Sequence, residues 1–210
     1  MGIDPPAPDE ELNVAGEPTV PRQAATVILL RGGDRALEVL LVQRTPAARF
    51  MGGAWVFPGG AVDTAEGEGD AAHRIAALRE VREEAGIALP DPAALVKYSR
   101  WITPAAMRTR YDTHFFLAPV DDTQEAQIDG AEVVDFRWLT PQAALDGYAR
   151  GELRLVFPTI KHLEQLAAFP SAAALLAFAR DREVQAVEPR LVRNGEVARL
   201  VLPGEPGYEV

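Results

Sequence analysis

Three features of the sequence predict a mixed α/β sandwich followed by helices. Apolar, β-branched runs of strand length recur through the first two thirds of the chain, a single helical stretch interrupts them, and after Thr140-Pro141 the pattern turns helical. Strands around one helix, then a helical run, favour a mixed sandwich over a doubly wound sheet. No internal repeat is visible.

The elements follow in order. Residues 1–22 carry five prolines and several acids without periodicity, and are expected to form a disordered or loosely attached arm ahead of a single domain over 23–210. AATVILLR (24–31) and ALEVLLVQR (36–44) read as strands joined through the RGGD turn into a hairpin. AWVFPGGAVD (54–63) reads as one short strand ending in a Pro-Gly-Gly bend. Asp70 suits the N-cap of a helix over 71–85, although His73 stands where a capping-box Glu would be. Ile75, Leu78, Val81 and Ala85 give that helix a narrow apolar stripe, and Gly86 fits the C′ position that ends it. Further strands are expected near 94–102, 111–119 and 132–139. Thr140 is a cap with Pro141 at the first helical position, opening two or three helices over about 141–182. Short strands at 184–192 and 196–202 close the chain.

Composition removes several functions. The 210 residues include no cysteine, which excludes disulfides and thiol or Cys-based zinc chemistry. No apolar run approaches the length of a membrane span, and MGIDPPAPDEELN has acids and prolines where a signal peptide needs bases and an apolar stretch. A soluble cytoplasmic protein with no membrane partner is expected. A net charge of −10 argues against nucleic acid as a partner, because backbone binding needs a basic face. If the substrate is itself an anion, a bound cation must supply the missing positive charge.

REVREEAGI (79–87) points to such a cation. Three glutamates crowd the C-terminal end of a helix, where the partial negative charge disfavours them. Glu80 also repels Glu83 and Glu84 at i,i+3 and i,i+4, by roughly 0.2–0.5 kcal/mol per pair. A charged helical run is more often a solvated face. Here, however, one turn separates Glu80 from Glu83 and Glu84, so the three carboxylates can converge on the side opposite Leu78 and Val81. Clustered carboxylates suit a hard cation such as Mg²⁺. Arg79 lies i,i+4 from Glu83 and can hold it. Upstream, Phe57-Pro58-Gly59-Gly60 offers a bend whose glycines let main-chain groups approach a phosphate or metal closely.

FPGG…REVREEAGI resembles the signature of the Nudix hydrolases, G-x5-E-x7-R-E-U-x-E-E-x-G-U with U aliphatic. Arg79, Glu80, Val81, Glu83, Glu84, Gly86 and Ile87 match its second half without a gap, and Gly60 matches the opening glycine. One departure stands out. Glu66 keeps the first spacing from Gly60, but twelve residues instead of seven separate it from Arg79. Glu66, Glu68 or neither is then the first glutamate of the signature. The resemblance implies an α/β/α sandwich, here with a C-terminal helical extension. It implies hydrolysis of a phosphoanhydride in a nucleoside diphosphate linked to another moiety. It further implies that Glu80, Glu83 and Glu84 ligate Mg²⁺ or Mn²⁺ with the Gly59 carbonyl, and that Arg79 orients Glu83.

LLVQRTPAARFMGGAWVFPGG (40–60) is similar to the additional signature of coenzyme A diphosphatases. Arg49, Gly53 and Phe57–Gly60 match, as do Leu40, Leu41 and Arg44. Thr45-Pro46 replaces Ser-Ala, and the Arg44–Arg49 gap is one residue short. WITP, YDTHFF and FRWLTP are similar to the peroxisomal branch of the same enzymes, but GYEV is no peroxisomal address. Arg44 and Arg49 suit the phosphates of coenzyme A, since Arg binds phosphate bidentately; solvated strand ends or structural ion pairs are their bland alternative. ADP-ribose, another nucleoside diphosphate sugar, or nucleotide sensing without hydrolysis are the competing functions.

Weaker nominations complete the reading. Glu132, with Glu125 and Asp129, lies in an acidic loop from which a further base or ligand can come. His73, His114 and His162 are scattered over different elements and read as core or surface residues, not a metal triad. The aromatic residues read as core. The helical tail suits a lid or a homodimer contact.

Overall fold

A computed structural model describes residues 12, 13, 16–48, 51–128, 130–194 and 197–209. One eight-stranded sheet dominates. Its main path runs β3-β2-β1-β6-β5-β8, with β4 added on β1 and β7 on β2. The hairpin of β1 (Arg22–Arg31) and β2 (Glu38–Arg44) is present, but it is paired only near its turn, at Leu30–Val39 and Arg31–Glu38. Beyond that point the two strands part, and the segment expected as one strand over 54–63 fills the gap as two. β3 (Trp55–Val56) pairs with β2, and β4 (Gly59–Ala61) pairs with β1. Pro58 is the physical reason. It has no N–H to give to a ladder, and its carbonyl instead accepts from Val27 N–H at 2.9 Å, turning the chain from one strand to the other.

Alternate β1 residues serve two cores. Ala25, Val27 and Leu29 face α1 (Gly69–Ala85), which rests on the sheet through Ala72, Ala76, Ala77, Val81 and Ala85. Ile75, expected on this apolar stripe, is 45 % exposed. It lies about 100° round the helix from Ala76, and the sheet takes the alanine side. The helix also begins earlier than expected, with Glu68 at the N-cap. Asp70 is instead in the first turn, where the dipole favours an acid, paired with Arg74 at 2.7 Å and Lys97 at 2.6 Å.

On the opposite face, Ile28, Leu30 and Leu41 pack against the expected helical tail, which forms three helices. These are α2 (Pro141–Ala149), α3 (Phe157–Leu166) and α4 (Ala172–Arg180). Thr140 caps α2 by accepting from Ala143 N–H at 3.2 Å. The sheet is completed by β5 (Val96–Ile102), β6 (Tyr111–Pro119), parallel to β1, and β7 (Val133–Leu139). Pro189 splits the strand expected over 184–192. Ala186–Val187 (β8) joins β5, while Arg190–Asn194 (β9) forms a separate hairpin with Val197–Val201 (β10). No helix among the described residues is long and apolar enough to cross a membrane.

Much of the 1–22 arm lies outside the described residues. The described part is docked, not loose. Leu12 is 5 % exposed and bridges to Met107, Asn13 N–H donates to Ala106 O at 2.7 Å, and Arg110 donates to Thr19 O at 2.8 Å.

The histidines divide. His73 and His114, scattered in sequence, stack with ring centroids 3.9 Å apart. His162 is fully buried among Phe57, Tyr98, Trp101 and Phe115. Its Nδ1 donates to Pro158 O at 2.7 Å, which leaves Nε2 to accept from Ser99 Oγ at 2.6 Å. Burial pushes its pKa down to about 4. A lowered histidine pKa contributes stability that is present above its ordinary value of 6.5 and is lost as pH falls toward 4. The denaturant midpoint is therefore expected to fall across that window. Burial lowers His114 in the same direction, so His162→Leu should make the slope shallower without abolishing it. Identical slopes for the two proteins would assign the acid lability elsewhere.

Candidate active site

The site lies where β1 and β2 part. The β3–β4 bend enters that gap and meets the C-terminal half of α1. Gly86 ends the helix as expected, in the left-handed region at φ 65°. A Cβ there would also stand 2.7 Å from Gln127 O. The loop after β6 crosses at this point, and Gln127 N–H donates to Ala85 O at 2.7 Å, satisfying one of the open carbonyls of the helix end.

The three signature glutamates share the region but not the environment. Glu84 is 4 % exposed, and its Oε2 accepts from Gly59 N–H at 2.9 Å. Glu80 is largely buried against Gly60, where a Cβ would stand 2.3 Å from its Oε1. Only glycine admits that approach. Glu83 is on the rim, with its side chain 58 % exposed. Convergence of all three is therefore incomplete, and no three acidic or histidine side chains among the described residues form a ligand cluster. Arg79 stands between them. It donates to Glu80 Oε1 at 2.6 Å and Glu83 Oε2 at 3.1 Å.

The same guanidinium does more than hold Glu83. It donates to Glu66 Oε1 at 2.9 Å and to Ala61 O at 2.9 Å, with Asp63 3.8 Å away. Glu66 in turn accepts from Asp63 N–H at 2.7 Å. Glu66 is thus the glutamate that ties the turn at Thr64–Glu66 to α1 despite the longer spacing, whereas the Glu68 side chain makes no capping bond. Sequence reasoning missed this hub, because nothing local in the sequence pairs Arg79 with a residue across a turn.

Burial sets the electrostatics. It pushes Glu84 up to about 7, against the Gly59 N–H and Arg44, with the charges of Glu80 and Glu132 adding to the rise. Glu80 is raised for the same first reason, with Arg79 opposing. Burial alone would raise Glu66 too, but the Arg79 and Asp63 hydrogen bonds outweigh it and its pKa is lowered. Arg79 is pushed up by its hydrogen bond to Glu66 above all. Two largely buried, oxygen-only donors, both raised by burial despite the cations beside them, suit a hard divalent cation.

The remaining candidates differ. Arg44 reaches Glu84, with Nη1 3.9 Å from Oε1, and its Nε is buried without a hydrogen-bond partner among the described residues. Arg49 and Asp129 lie outside the described residues. Glu132 is exposed, and its carbonyl accepts from Thr45 N–H at 2.8 Å. Glu125 pairs with Arg31 instead, at 3.4 Å. A crevice of about 810 Å³ between Leu89–Lys97 and the end of α4 is lined by none of these residues.

A NUDIX domain model matches residues 20–159, most of this architecture and all of the signature. The chain belongs to the Nudix hydrolase family. Its Nudix fold is the expected α/β/α sandwich. A NUDIX hydrolase from Alicyclobacillus acidocaldarius superposes with a TM-score of 0.68 at 28% identity, covering 76% of this chain and 96% of that one. The NUDIX domain of Shewanella oneidensis NrtR, solved with ADP ribose, shares the fold at a TM-score of 0.53 and 24% identity, over 70% of this chain and 86% of that one. Among curated relatives, putative nudix hydrolase 7 of Caenorhabditis elegans is 28% identical over 69% of this chain; the match spans only 60% of that protein. The acyl-coenzyme A diphosphatase NUDT19 of Homo sapiens is 24% identical over 89% of this Nudix chain and 80% of its own length.

Proposed function

We propose that this protein hydrolyses the phosphoanhydride of coenzyme A or an acyl derivative, giving phosphopantetheine, or its acyl form, and 3′,5′-ADP. The observation that carries the reading is Arg44. It is a cation whose buried Nε has no hydrogen-bond partner among the described residues, held beside the buried Glu84 carboxylate at the Pro-Gly-Gly bend. An anionic substrate paired with a cation fits that combination of charges. The similarity to coenzyme A diphosphatase signatures over residues 40–60 and to the acyl-coenzyme A diphosphatase NUDT19 narrows the class of anion.

Glu80, Glu84 and, from the rim, Glu83 would hold Mg²⁺ or Mn²⁺, with the Gly59 carbonyl as a further donor. Such a cation, when bound, neutralises the pyrophosphate and lowers the pKa of water. The protein's own groups do the rest. Gly59 N–H fixes the Glu84 carboxylate, and Arg79 fixes those of Glu80 and Glu83. Arg44 and Arg49 bind substrate phosphates, with Gly60 leaving room for the approach. Glu132 takes the proton of the attacking water. The new P–O bond forms on phosphorus as the bridging P–O bond breaks, and positioning with electrostatics suffices for that chemistry.

Incubation with coenzyme A, acetyl-coenzyme A, ADP-ribose, NADH and dinucleoside polyphosphates, each with Mg²⁺ or Mn²⁺, tests the proposal. The expected result is conversion of the coenzyme A compounds to the two stated products. Preference for ADP-ribose would reassign the substrate. No turnover of any compound would leave a nucleotide-binding module.

A further inference from the structure

The link between α2 and α3 is outside both the glutamates and the bend, yet it reaches the site. It runs as a short extended piece beside β3. Leu153 and Leu155 are buried at 3 % and 2 % exposure, while Arg154 between them points to solvent, the alternation of a strand. Trp55 N–H donates to Arg154 O at 2.8 Å, and Leu155 bridges Trp55 in parallel. The Arg154 side chain then extends to the loop after β2, donating to Gly52 O at 2.9 Å.

That loop is a closed ring. Arg44 N–H donates to Ala54 O at 3.0 Å, and Gly53 N–H returns to Arg44 O at 3.2 Å. Ala54 N–H donates to Met51 O at 3.1 Å, and the Gln43 side chain donates to Gly53 O at 3.3 Å. Thr45 N–H, one residue past the ring closure, holds Glu132 O. The backbone of Arg44 is therefore set by this loop, and Arg154 is the side chain that fastens its far side. Arg49 and Phe50 lie outside the described residues.

We propose that Arg154 is a positioning residue: by holding Gly52 it keeps the Arg44–Ala54 ring seated, and so sets how tightly Arg44 grips the anionic substrate. This rests on the reading of Arg44 as a phosphate-binding group. It also assigns a task to the connection between the first two tail helices, as a clamp on the substrate loop.

Arg154→Ala tests it, since an exposed side chain is removed while the backbone bond to Trp55 stays. One outer-loop hydrogen bond corresponds to a roughly five-fold effect. Amide exchange at Gly53 and Ala54 should quicken by about that factor. KM should rise about as much on whichever compound the wild type turns over, with kcat and thermal midpoint unchanged. Arg154→Lys, which keeps a donor of similar length, should recover most of the loss. Unchanged exchange in Arg154→Ala overturns the clamp. Faster exchange with an unchanged KM overturns its link to substrate. Absence of turnover by the wild type would sink the activity reading alone, because the exchange measurement still decides the clamp.

Discussion

Glu84→Gln should make the protein more stable and nearly inactive at once. Glu84 is 4 % exposed and its pKa is pushed to about 7 from the ordinary carboxylate value of 4.5 by burial first. A carboxyl pKa raised by folding contributes stability below the unfolded value that is lost as pH rises through the folded one. This one group is therefore expected to withdraw something on the order of 3 kcal/mol between about pH 4.5 and pH 7, against the opposite slope set by His162 and His114, so its effect is read as the difference between wild type and variant. Gln keeps an oxygen for the Gly59 N–H and carries no charge. At pH 8 without divalent ions the variant should melt roughly 5–10 °C above wild type, and at pH 4 the difference should vanish. Millimolar Mg²⁺ should raise the wild-type midpoint and leave the variant's unmoved. Turnover should fall by on the order of 10²–10³. A variant that melts below wild type at pH 8 would contradict the account of Glu84 as an uncompensated buried charge.

The second large effect belongs to Arg79. Its side chain, 27% exposed, meets Glu66, Glu80, Glu83 and Ala61 O together. Arg79→Ala leaves Glu66 and Glu80 largely buried without their cation, at a cost of roughly 3 kcal/mol. Arg79→Lys restores the charge but not the fork that reaches several oxygens, and should recover less than half of the stability. Removing Glu66 in the Arg79→Ala background should then cost little more, a non-additivity that a double-mutant cycle reads. Independent, additive losses at the two positions would mean that the turn and α1 are not joined through this pair.

What the sequence made legible was local. The hairpin, the end of α1 at Gly86, the start of α2 at Thr140-Pro141 and the spacing of the glutamates follow from turn chemistry, capping and helical period, which act within a few residues. Readings failed where the deciding contact was distant. Pro58 divides a predicted strand because its carbonyl is needed by Val27. Ile75 is exposed because the sheet accepts Ala76 and Ala77. The choice between Glu66 and Glu68, which spacing left open, turns on Arg79 reaching Glu66 across a turn. The described part of the arm is docked through Met107 and Arg110, nearly one hundred residues away, and nothing in a proline-rich stretch announces that. The glutamates' residue types were readable, but their division into two buried and one rim carboxylate depends on how α1 is rolled against the sheet.

That roll, and the height of the helix above the strands, are set by side chains as small as a methyl group. Ala72, Ala76, Ala77 and Ala85 act as a gauge block between α1 and the sheet. The reach of Glu80 and Glu84 to the bend is thus calibrated in the hydrocarbon interior, by side chains that carry no polar atom. A designer wishing to move the two carboxylates relative to the bend would adjust the shims before touching the tools.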